Sequence, residues 1–367
     1  MIAVKDFLNV LKKNKINFFA GVPDSVLKKL SFNFGLSNRS KHIITANEGS
    51  SVALGVGYYL STKKIPCIYL QNSGLGNAIN PLISIAHQKV YSIPMLLVIG
   101  WRGSPGIKDE PQHMAKGKIT TRLLKLLDID YCILKNKKDL AKLNQLIKKS
   151  KQSKKTVACL IQKNILHSNK KIEISKKNNN LLLRKDLITS FLKLIPNNSR
   201  IVSTTGYTSR ELMQIRKIKK LNKGKDFYMV GGMGHSAMVA MGYSLNNKKN
   251  TFCLDGDGSM LMHLGSLRAF SYFGNSKLKH ILLNNNSHES VGGQSTTAQG
   301  INFNKLSKSL GYKSYYKIFN NKNIEKTLKK FINSKGPSFL EVLINNGSLN
   351  NLPRPNNLQK IKNNFML

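Results

Sequence analysis

Acidic residues are scarce in this chain of 367, where 17 Asp and Glu face 59 Lys and Arg and leave a formal net charge of +42. No apolar run reaches the ~18 residues that a membrane span requires, and the best candidate, Ile93 to Ile99, is strand-sized. The opening Met1-Ile-Ala-Val-Lys-Asp6 leads into a mixed helical pattern, without a signal peptide's apolar stretch and small-residue cleavage site. Cysteine is rare and scattered (Cys67, Cys132, Cys159, Cys253), with no CxxC pair. That spacing excludes a disulfide framework, speaks against a zinc site and fits thiols kept reduced in the cytoplasm. Arginine is also in short supply, at nine residues against fifty lysines. Arg is the side chain that grips phosphate bidentately and reads guanine edges, so the charge is a poor match to a polynucleotide site. The lysines spread along helical patterns, as in Lys148 to Lys155 and Lys322 to Lys330, and read as solvated faces. Neither nucleic acid nor membrane is expected as a partner.

What is present is ample for packed cores: 41% of residues are hydrophobic, and the length suggests about two domains. Strand-like runs alternate with helical patterns. The first half shows Val4 to Leu11, Asn17 to Ala20, Ile43-Ile44, a helix from Glu48 to Leu60, and Ile65 to Leu70. It continues with a helix near Gly76 to His87, Met95 to Ile99, Thr120 to Leu127, Tyr131 to Leu134, Asp139 to Lys149 and Thr156 to Ile161. After a Lys- and Asn-rich linker the pattern restarts with a helix at Arg184 to Leu194, a strand at Arg200 to Ser203, and helices at Ser209 to Lys219 and His235 to Tyr243. A strand at Thr251 to Leu254, a helix at Ser259 to Phe273, a strand at His280 to Leu283, a helix at Ile324 to Asn333 and a strand at Ser338 to Ile344 follow. Such alternation predicts an α/β fold of two domains, each a parallel sheet flanked by helices. The expected boundaries are 1–167 and 184–346, with a linker at 168–183 and an irregular tail at 347–367.

The most specific string is Leu254-Asp-Gly-Asp-Gly-Ser259, followed by Leu283-Asn-Asn-Asn286, which sets Asn285 28 residues after Asp257. Gly256 and Gly258 permit a tight strand-to-helix turn whose N–H groups can approach an anion, and the helix N-terminus favours phosphate. A diphosphate there needs a hard divalent cation, which takes oxygen ligands of the kind Asp257 and Asn285 offer from adjacent strand ends. The bland alternative is a simple turn beside an Asn-rich composition. Upstream, Glu48 opens a small-residue helix in Thr45-Ala-Asn-Glu48-Gly-Ser-Ser-Val-Ala-Leu-Gly55. Acidic residues favour helix N-termini in any case, so capping is its bland alternative. Gly49, Ser50, Ala53 and Gly55 are expected to keep the helix face open.

These motifs resemble the thiamine-diphosphate-dependent enzymes, whose pattern is GDG followed by NN. The resemblance implies that Asp257, Asn285 and the Ser287 carbonyl hold Mg²⁺, with Gly256, Gly258 and Ser259 by the diphosphate. It makes Gly231-Gly-Met-Gly-His235 the loop that bends the cofactor, Met233 supporting it and the Gly231 carbonyl accepting from its 4′-amino group. Glu48 becomes the carboxyl group that relays a proton through the aminopyrimidine. The first domain is then the pyrimidine-binding one and the second the diphosphate-binding one, with no middle domain. Sites lie at the interface of a homo-oligomer of at least two chains.

Further strings narrow the resemblance: Gly21-Val-Pro-Asp-Ser25, Gln71-Asn-Ser-Gly-Leu-Gly-Asn77, Gly100-Trp-Arg-Gly103, Asp109-Glu-Pro-Gln-His113 and Ser287-His-Glu-Ser-Val-Gly-Gly-Gln294. Together with Thr204-Thr-Gly206, Ser209-Arg-Glu-Leu212 and Tyr228 to His235 they are similar to the phosphonopyruvate decarboxylase family across nearly the whole chain. This implies decarboxylation of 3-phosphonopyruvate to phosphonoacetaldehyde and CO₂ in phosphonate biosynthesis. Donors for so charged a substrate are expected among Ser25, Asn72, Ser73, Arg102, Gln112, His113, Lys116, His235 and His288, with Asp24 orienting one of them and His113 transferring a proton. Sulfopyruvate decarboxylase is the nearest alternative. A basic nucleic-acid-binding protein on an inactive enzyme fold is the alternative from another class.

Overall fold

The computed structural model describes residues 1–35, 41–168, 181–320 and 322–367. The chain divides into two compact units, one of Met1–Ile174 with Val291–Gln294, the other of Ser175–Ser290 with Ser295–Leu367. Of the expected linker, residues 169–180 lie outside the described residues. Leu182 is buried in the second unit and bridges Ile344.

The first unit begins with β1 (Ile2–Ala3) and α1 (Val4–Lys13), then β2 (Phe19–Gly21), α2 (Lys28–Gly35), β3 (His42–Ile44), α3 (Glu48–Thr62), β4 (Cys67–Gln71) and α4 (Leu75–Pro81). It continues through β5 (Leu96–Trp101), α5 (Pro111–Leu126), β6 (Asp130–Leu134), α6 (Asp139–Ser153), β7 (Val157–Gln162) and β8 (Leu166–His167). Its main sheet is parallel, ordered β3-β2-β4-β5-β7-β6. In β4 and β5 successive side chains enter opposite cores: Cys67, Tyr69, Leu96 and Val98 join one cluster, Ile68, Leu70, Leu97 and Ile99 the other. Covering both faces this way is why these strands read as continuous apolar runs.

The second unit holds α7 (Arg184–Leu194), β9 (Arg200–Ser203), α8 (Tyr207–Lys219), β10 (Lys225–Tyr228), α9 (Ser236–Leu245), β11 (Thr251–Gly256), α10 (Asp257–Met262) and α11 (Ser266–Phe273). After these come β12 (Leu278–Asn284), α12 (Phe303–Leu310), β13 (Ser314–Ile318), α13 (Ile324–Asn333), β14 (Ser338–Leu343) and α14 (Leu358–Met366). The order β10-β9-β11-β12-β14-β13, again all parallel, repeats the winding of the first unit. Each sheet reverses its direction of growth at its first strand, and the crevice at such a reversal is where parallel sheets bind ligands.

Three expectations are corrected. The helix expected over Ser259 to Phe273 is two helices, because His263 leaves helical geometry (φ −133, ψ 46) and α11 starts only at Ser266. The helix near Gly76 to His87 is α-helical only to Pro81; residues Leu82–Ala86 form a wider π turn. The tail is not wholly irregular: α14 docks through buried Phe365, whose carbonyl accepts from Arg200 Nε at 2.8 Å. No helix among the described residues is long and apolar enough to cross a membrane.

Candidate active site

In the first unit Asn47 caps α3 by accepting from the Gly49 N–H at 2.7 Å, and Glu48 follows as the first helical residue. Glu48 is only 6% exposed, and its Oε2 accepts from Asn77 Nδ2 at 2.7 Å. Burial raises its pKa, opposed by that amide and by the charge of Lys116. Room for the carboxyl group comes from Gly74, where a Cβ would lie 2.1 Å from Glu48 Oε1. The small residues of α3 divide: Ser50 and Ala53 are exposed, as an open face requires, while the two glycines act differently. A Cβ at Gly49 would meet the Asn77 carbonyl at 2.7 Å and one at Gly55 would meet Ile68 at 2.9 Å, so these glycines allow close packing and do not hold a face open.

At the crevice after β2, Asp24 is fully buried and its Oδ2 accepts from the Val26 and Leu27 N–H groups, each at 3.0 Å. Burial pushes its pKa up to about 6, against the Leu27 N–H and the Arg102 charge. Its Oδ1 is buried without a hydrogen-bond partner. Arg102, after β5, forks onto Asp109 through Nε (2.6 Å) and Nη2 (2.5 Å), and its Nη1 reaches the exposed Ser25 hydroxyl at 3.2 Å. Most of the guanidinium is therefore spent on Asp109, whose pKa is well below the carboxylate range because Arg102 outweighs the cost of burial. Asp109, Glu110 and His113 bring ligand atoms within 4.8 Å of one another, but that ion pair covers the cluster.

Asn72 requires a correction. It is buried, donates to the Arg102 carbonyl (3.0 Å) and Thr120 Oγ1 (2.9 Å), and accepts from the Arg102 N–H (3.1 Å). With these bonds made it positions the Arg102 loop and has no donor left for a substrate. Ser73 accepts from Gln71 at 2.6 Å, and Gln112 donates to Glu110 at 2.6 Å. His113 is half-buried on α5, its Nδ1 unpartnered. Burial, aided by the Arg102 charge, lowers its pKa to about 4, so it is a neutral imidazole at pH 7. Burial likewise lowers the pKa of Lys116, a half-buried cation that Glu48 stabilises.

In the second unit Asp257 opens α10 straight after β11 and is buried. Its Oδ2 accepts from Thr296 Oγ1, and burial raises its pKa to about 6 against that hydroxyl and the backbone N–H groups of Asp257, Asn285 and Gly258. Gly258 is required by His288: a Cβ would stand 2.7 Å from the imidazole Cε1. His288 is buried, which lowers its pKa to about 4. No atom lies within 4 Å of where a Cβ on Gly256 would be, so the turn has open space over it. Ser259 Oγ ties loops together, accepting from Thr204 Oγ1 (2.8 Å) and the Gly234 N–H (3.1 Å). Gly234 has φ +88, and a Cβ there would strike His263 at 2.5 Å. Exposed His235 stacks on His263 at 4.4 Å; Gly231 and Met233, half-buried, flank that loop.

The asparagine run divides its labour. Asn284 donates to Glu341 Oε1 (3.2 Å), Asn285 bonds Glu289 and Asn346, and Asn286 turns left-handed at φ 54. Ser287 donates its N–H to Asn285 Oδ1 at 3.1 Å, and its buried Oγ has no hydrogen-bond partner. The Asn285 backbone N–H donates to the Asp257 carboxylate, and Asp257, the remaining lone pair of Asn285 Oδ1 and the oxygens of Ser287 are hard donors of the kind a divalent cation takes, so these residue types fit such an ion. Sequence reading missed Asn77, Gly74 and Thr296. Asn77 ends a string already singled out, and Thr296 lies two residues beyond another.

Residues 1–123 match the thiamine pyrophosphate enzyme N-terminal TPP binding domain, and residues 204–342 match the C-terminal TPP binding domain of the same enzymes. The chain is 30% identical to a phosphonopyruvate decarboxylase of Streptomyces viridochromogenes, covering 97% of this chain and 91% of that one. It is 31% identical to a phosphonopyruvate decarboxylase of Streptomyces hygroscopicus, over 97% and 90%. To a sulfopyruvate decarboxylase of Methanosarcina acetivorans it is 25% identical, over 94% and 92%. The chain belongs to the thiamine-diphosphate-dependent decarboxylases, in the branch related to phosphonopyruvate and sulfopyruvate decarboxylases.

Proposed function

We propose that this enzyme decarboxylates 3-phosphonopyruvate to phosphonoacetaldehyde and CO₂, with thiamine diphosphate and Mg²⁺, as a cytoplasmic homo-oligomer with sites at subunit interfaces, in phosphonate biosynthesis. The observation that carries the reading is the match over 97% of the chain to relatives bearing that activity in their names, together with Glu48, Asp257 and Asn285 in environments suited to their tasks. Thiamine diphosphate supplies the electron sink into which the bond to the departing carboxylate empties. Asp257, Asn285 and Ser287 are assigned to the cation, Gly256, Gly258 and Ser259 to the diphosphate, and Gly231 and Met233 to the ring-bearing part of the cofactor.

Glu48 holds a proton at its carboxyl group more readily than an exposed glutamate, because burial penalises the charged form. That places its pKa nearer neutrality, where a proton relay is most effective. Replacing the carboxylate of phosphonopyruvate by hydrogen consumes one proton. His113 is assigned that delivery, which its ring makes by first taking up a proton from solvent and then returning to the neutral imidazole as it passes the proton on. Lys116 supplies positive charge, and Ser25 with the Nη1 of Arg102 supplies donors, for a substrate with two acidic groups, aided by Ser73, Gln112, His235 and His288. Asp24 orients the Arg102 side of the loop set.

Purified protein supplied with thiamine diphosphate and Mg²⁺ should convert phosphonopyruvate, with ³¹P NMR following phosphonoacetaldehyde and CO₂ release measured in parallel. Turnover of sulfopyruvate with none of phosphonopyruvate would transfer the assignment to the sulfonate. Polynucleotide binding without cofactor binding would overturn both.

A further inference from the structure

The amide of Asn285 has two N–H donors and two acceptor lone pairs. Nδ2 donates to Glu289 Oε2 at 3.3 Å and to Asn346 Oδ1 at 2.9 Å, while Oδ1 accepts from the Ser287 N–H at 3.1 Å. One lone pair on Oδ1 remains. Turning the amide over would set its oxygen against the Glu289 carboxylate and the Asn346 oxygen, and its NH₂ against the Ser287 N–H. All three meetings are repulsive, so the surroundings select one orientation.

Glu289 is itself held. Arg184 Nη2 donates to its Oε2 at 2.6 Å, and the Gly347 N–H donates to its Oε1. Arg184 is buried, with Nη1 3.5 Å from Glu211, and Glu211 Oε1 accepts from the Leu349 N–H at 2.7 Å. This ion-pair network grips residues 346–349, which follow β14. Buried ion pairs are weak sources of stability, since desolvation offsets most of the attraction. What this one does securely is fix geometry, and the group at its end is Asn285.

We propose that Glu289 and Asn346 are positioning residues that present the oxygen of Asn285, and never its NH₂, to a divalent cation. The inference rests on the assignment of Asp257, Asn285 and Ser287 to that cation. Glu289 acts through its negative charge and its acceptor oxygen, with Arg184 as its anchor. Glu289→Gln keeps the size but leaves only one oxygen, which Gly347 and Asn285 cannot both use while Arg184 faces the new NH₂. Asn346→Ala removes one acceptor without changing charge, and Asn346→Asp keeps it.

The test is Mn²⁺ binding to full-length protein in the presence of thiamine diphosphate, read by the EPR signal of free Mn²⁺, with circular dichroism checking each variant's fold. Glu289→Gln should raise the Mn²⁺ dissociation constant roughly 10–100-fold, the range for partners that orient metal ligands. Asn346→Ala should raise it less, and Asn346→Asp should restore it to within about threefold of wild type. A purely structural role would lower the melting temperature and leave the affinity of the folded protein unchanged. Wild-type affinity in Glu289→Gln, alongside lost binding in Asp257→Ala, would overturn the positioning role and leave the cation assignment standing. Equal Mn²⁺ binding by wild type and Asp257→Ala would instead overturn that assignment, and the inference with it. If Glu289→Gln does not fold, equal affinities of Asn346→Ala and wild type overturn the proposal, and a weakened Asn346→Ala rescued by Asn346→Asp supports it.

Discussion

Glu48 and Asp257 sit in two sheets that share one winding order but at different places in it: Glu48 follows the edge strand β3 and Asp257 the inner strand β11. Each is the first residue of a helix that follows a strand, each is buried, and burial raises the pKa of each. Their surroundings separate them. Glu48 faces a side-chain amide from α4 and a space that Gly74 leaves clear. Asp257 faces a hydroxyl and several backbone N–H groups, with open space over Gly256. Donors aimed at a carboxylate favour its charged form, but burial outweighs them at both corners. At the second it is the cation assigned to Asp257 that would hold the carboxyl charged, while the first, with no cation assigned to it, suits a group that gains and loses a proton. Two strand-to-helix corners thus differ in chemistry through their place in the sheet and the partners brought from elsewhere in each unit.

The largest effects should fall on the two carboxylates, and in different observables. Glu48→Gln keeps an acceptor for Asn77 and is expected to lower kcat by about 10²–10⁴-fold, the range of general acid–base catalysis, with cofactor affinity changed little. Asp257→Asn should act on affinity, raising the Mg²⁺ dissociation constant at least about a hundredfold, beyond the effect of an outer partner. Exchange of the cofactor's C2 proton, followed by NMR, would break the contrast if Glu48→Gln retained the wild-type rate.

Next come the glycines beside the carboxylates. Gly74→Ala puts a methyl group where Glu48 Oε1 lies, and should cost kcat up to about a hundredfold by misplacing the carboxyl group. Gly256→Ala meets no protein atom, so its melting temperature should hold, with stability changed by no more than about 0.5 kcal/mol, and any loss should appear in cofactor affinity. Unimpaired turnover by Gly74→Ala would remove the argument that the first corner is shaped around its carboxyl group.

The smallest effect concerns pH. Asp24 titrates at its ordinary 3.8 when unfolded and at about 6 when folded, so the native state binds the extra proton between those values. Its contribution to stability is therefore present at low pH and lost as pH rises from about 4 to 6. Asp24→Asn should abolish that component, and the stability difference between variant and wild type should shift by on the order of 2–3 kcal/mol across the window in urea titrations. His113 and His288, both lowered to about 4, impose the opposite slope in both proteins and cancel from that difference. A difference that stays flat with pH would show that Asp24 is not buried as a carboxylate.

Much of the fold was legible. Helices α7 and α13 and strand β9 fall on their expected residues, because each carries a clean apolar period between turn signals. Strands β10 and β13 escaped notice. Lys225-Asp-Phe-Tyr228 and Ser314-Tyr-Tyr-Lys-Ile318 are edge strands, half-covered and polar, and lack the apolar run that a doubly covered strand shows. Within the proposed site, Glu48 and Asp257 stand out because a short window holds both the residue and its strand-to-helix turn, and Asn285 because it directly follows a strand at the spacing the resemblance supplies. Their partners do not: Asn77 is 29 residues from Glu48, Thr296 39 from Asp257 and Asn346 61 from Asn285.

The amino-acid sequence by itself determined the alternation of strand and helix, the glycine turn before Asp257 and the acidic opening of α3, since these depend on covalent neighbours and local periodicity. Only the tertiary structure decided that Asn72 turns inward to hold the Arg102 loop, that Arg102 spends its fork on Asp109, and that Asn285 turns its NH₂ to Glu289 and Asn346. A polar side chain has several donors and acceptors to place, and strands and helices distant in sequence must come together before each one meets its partner.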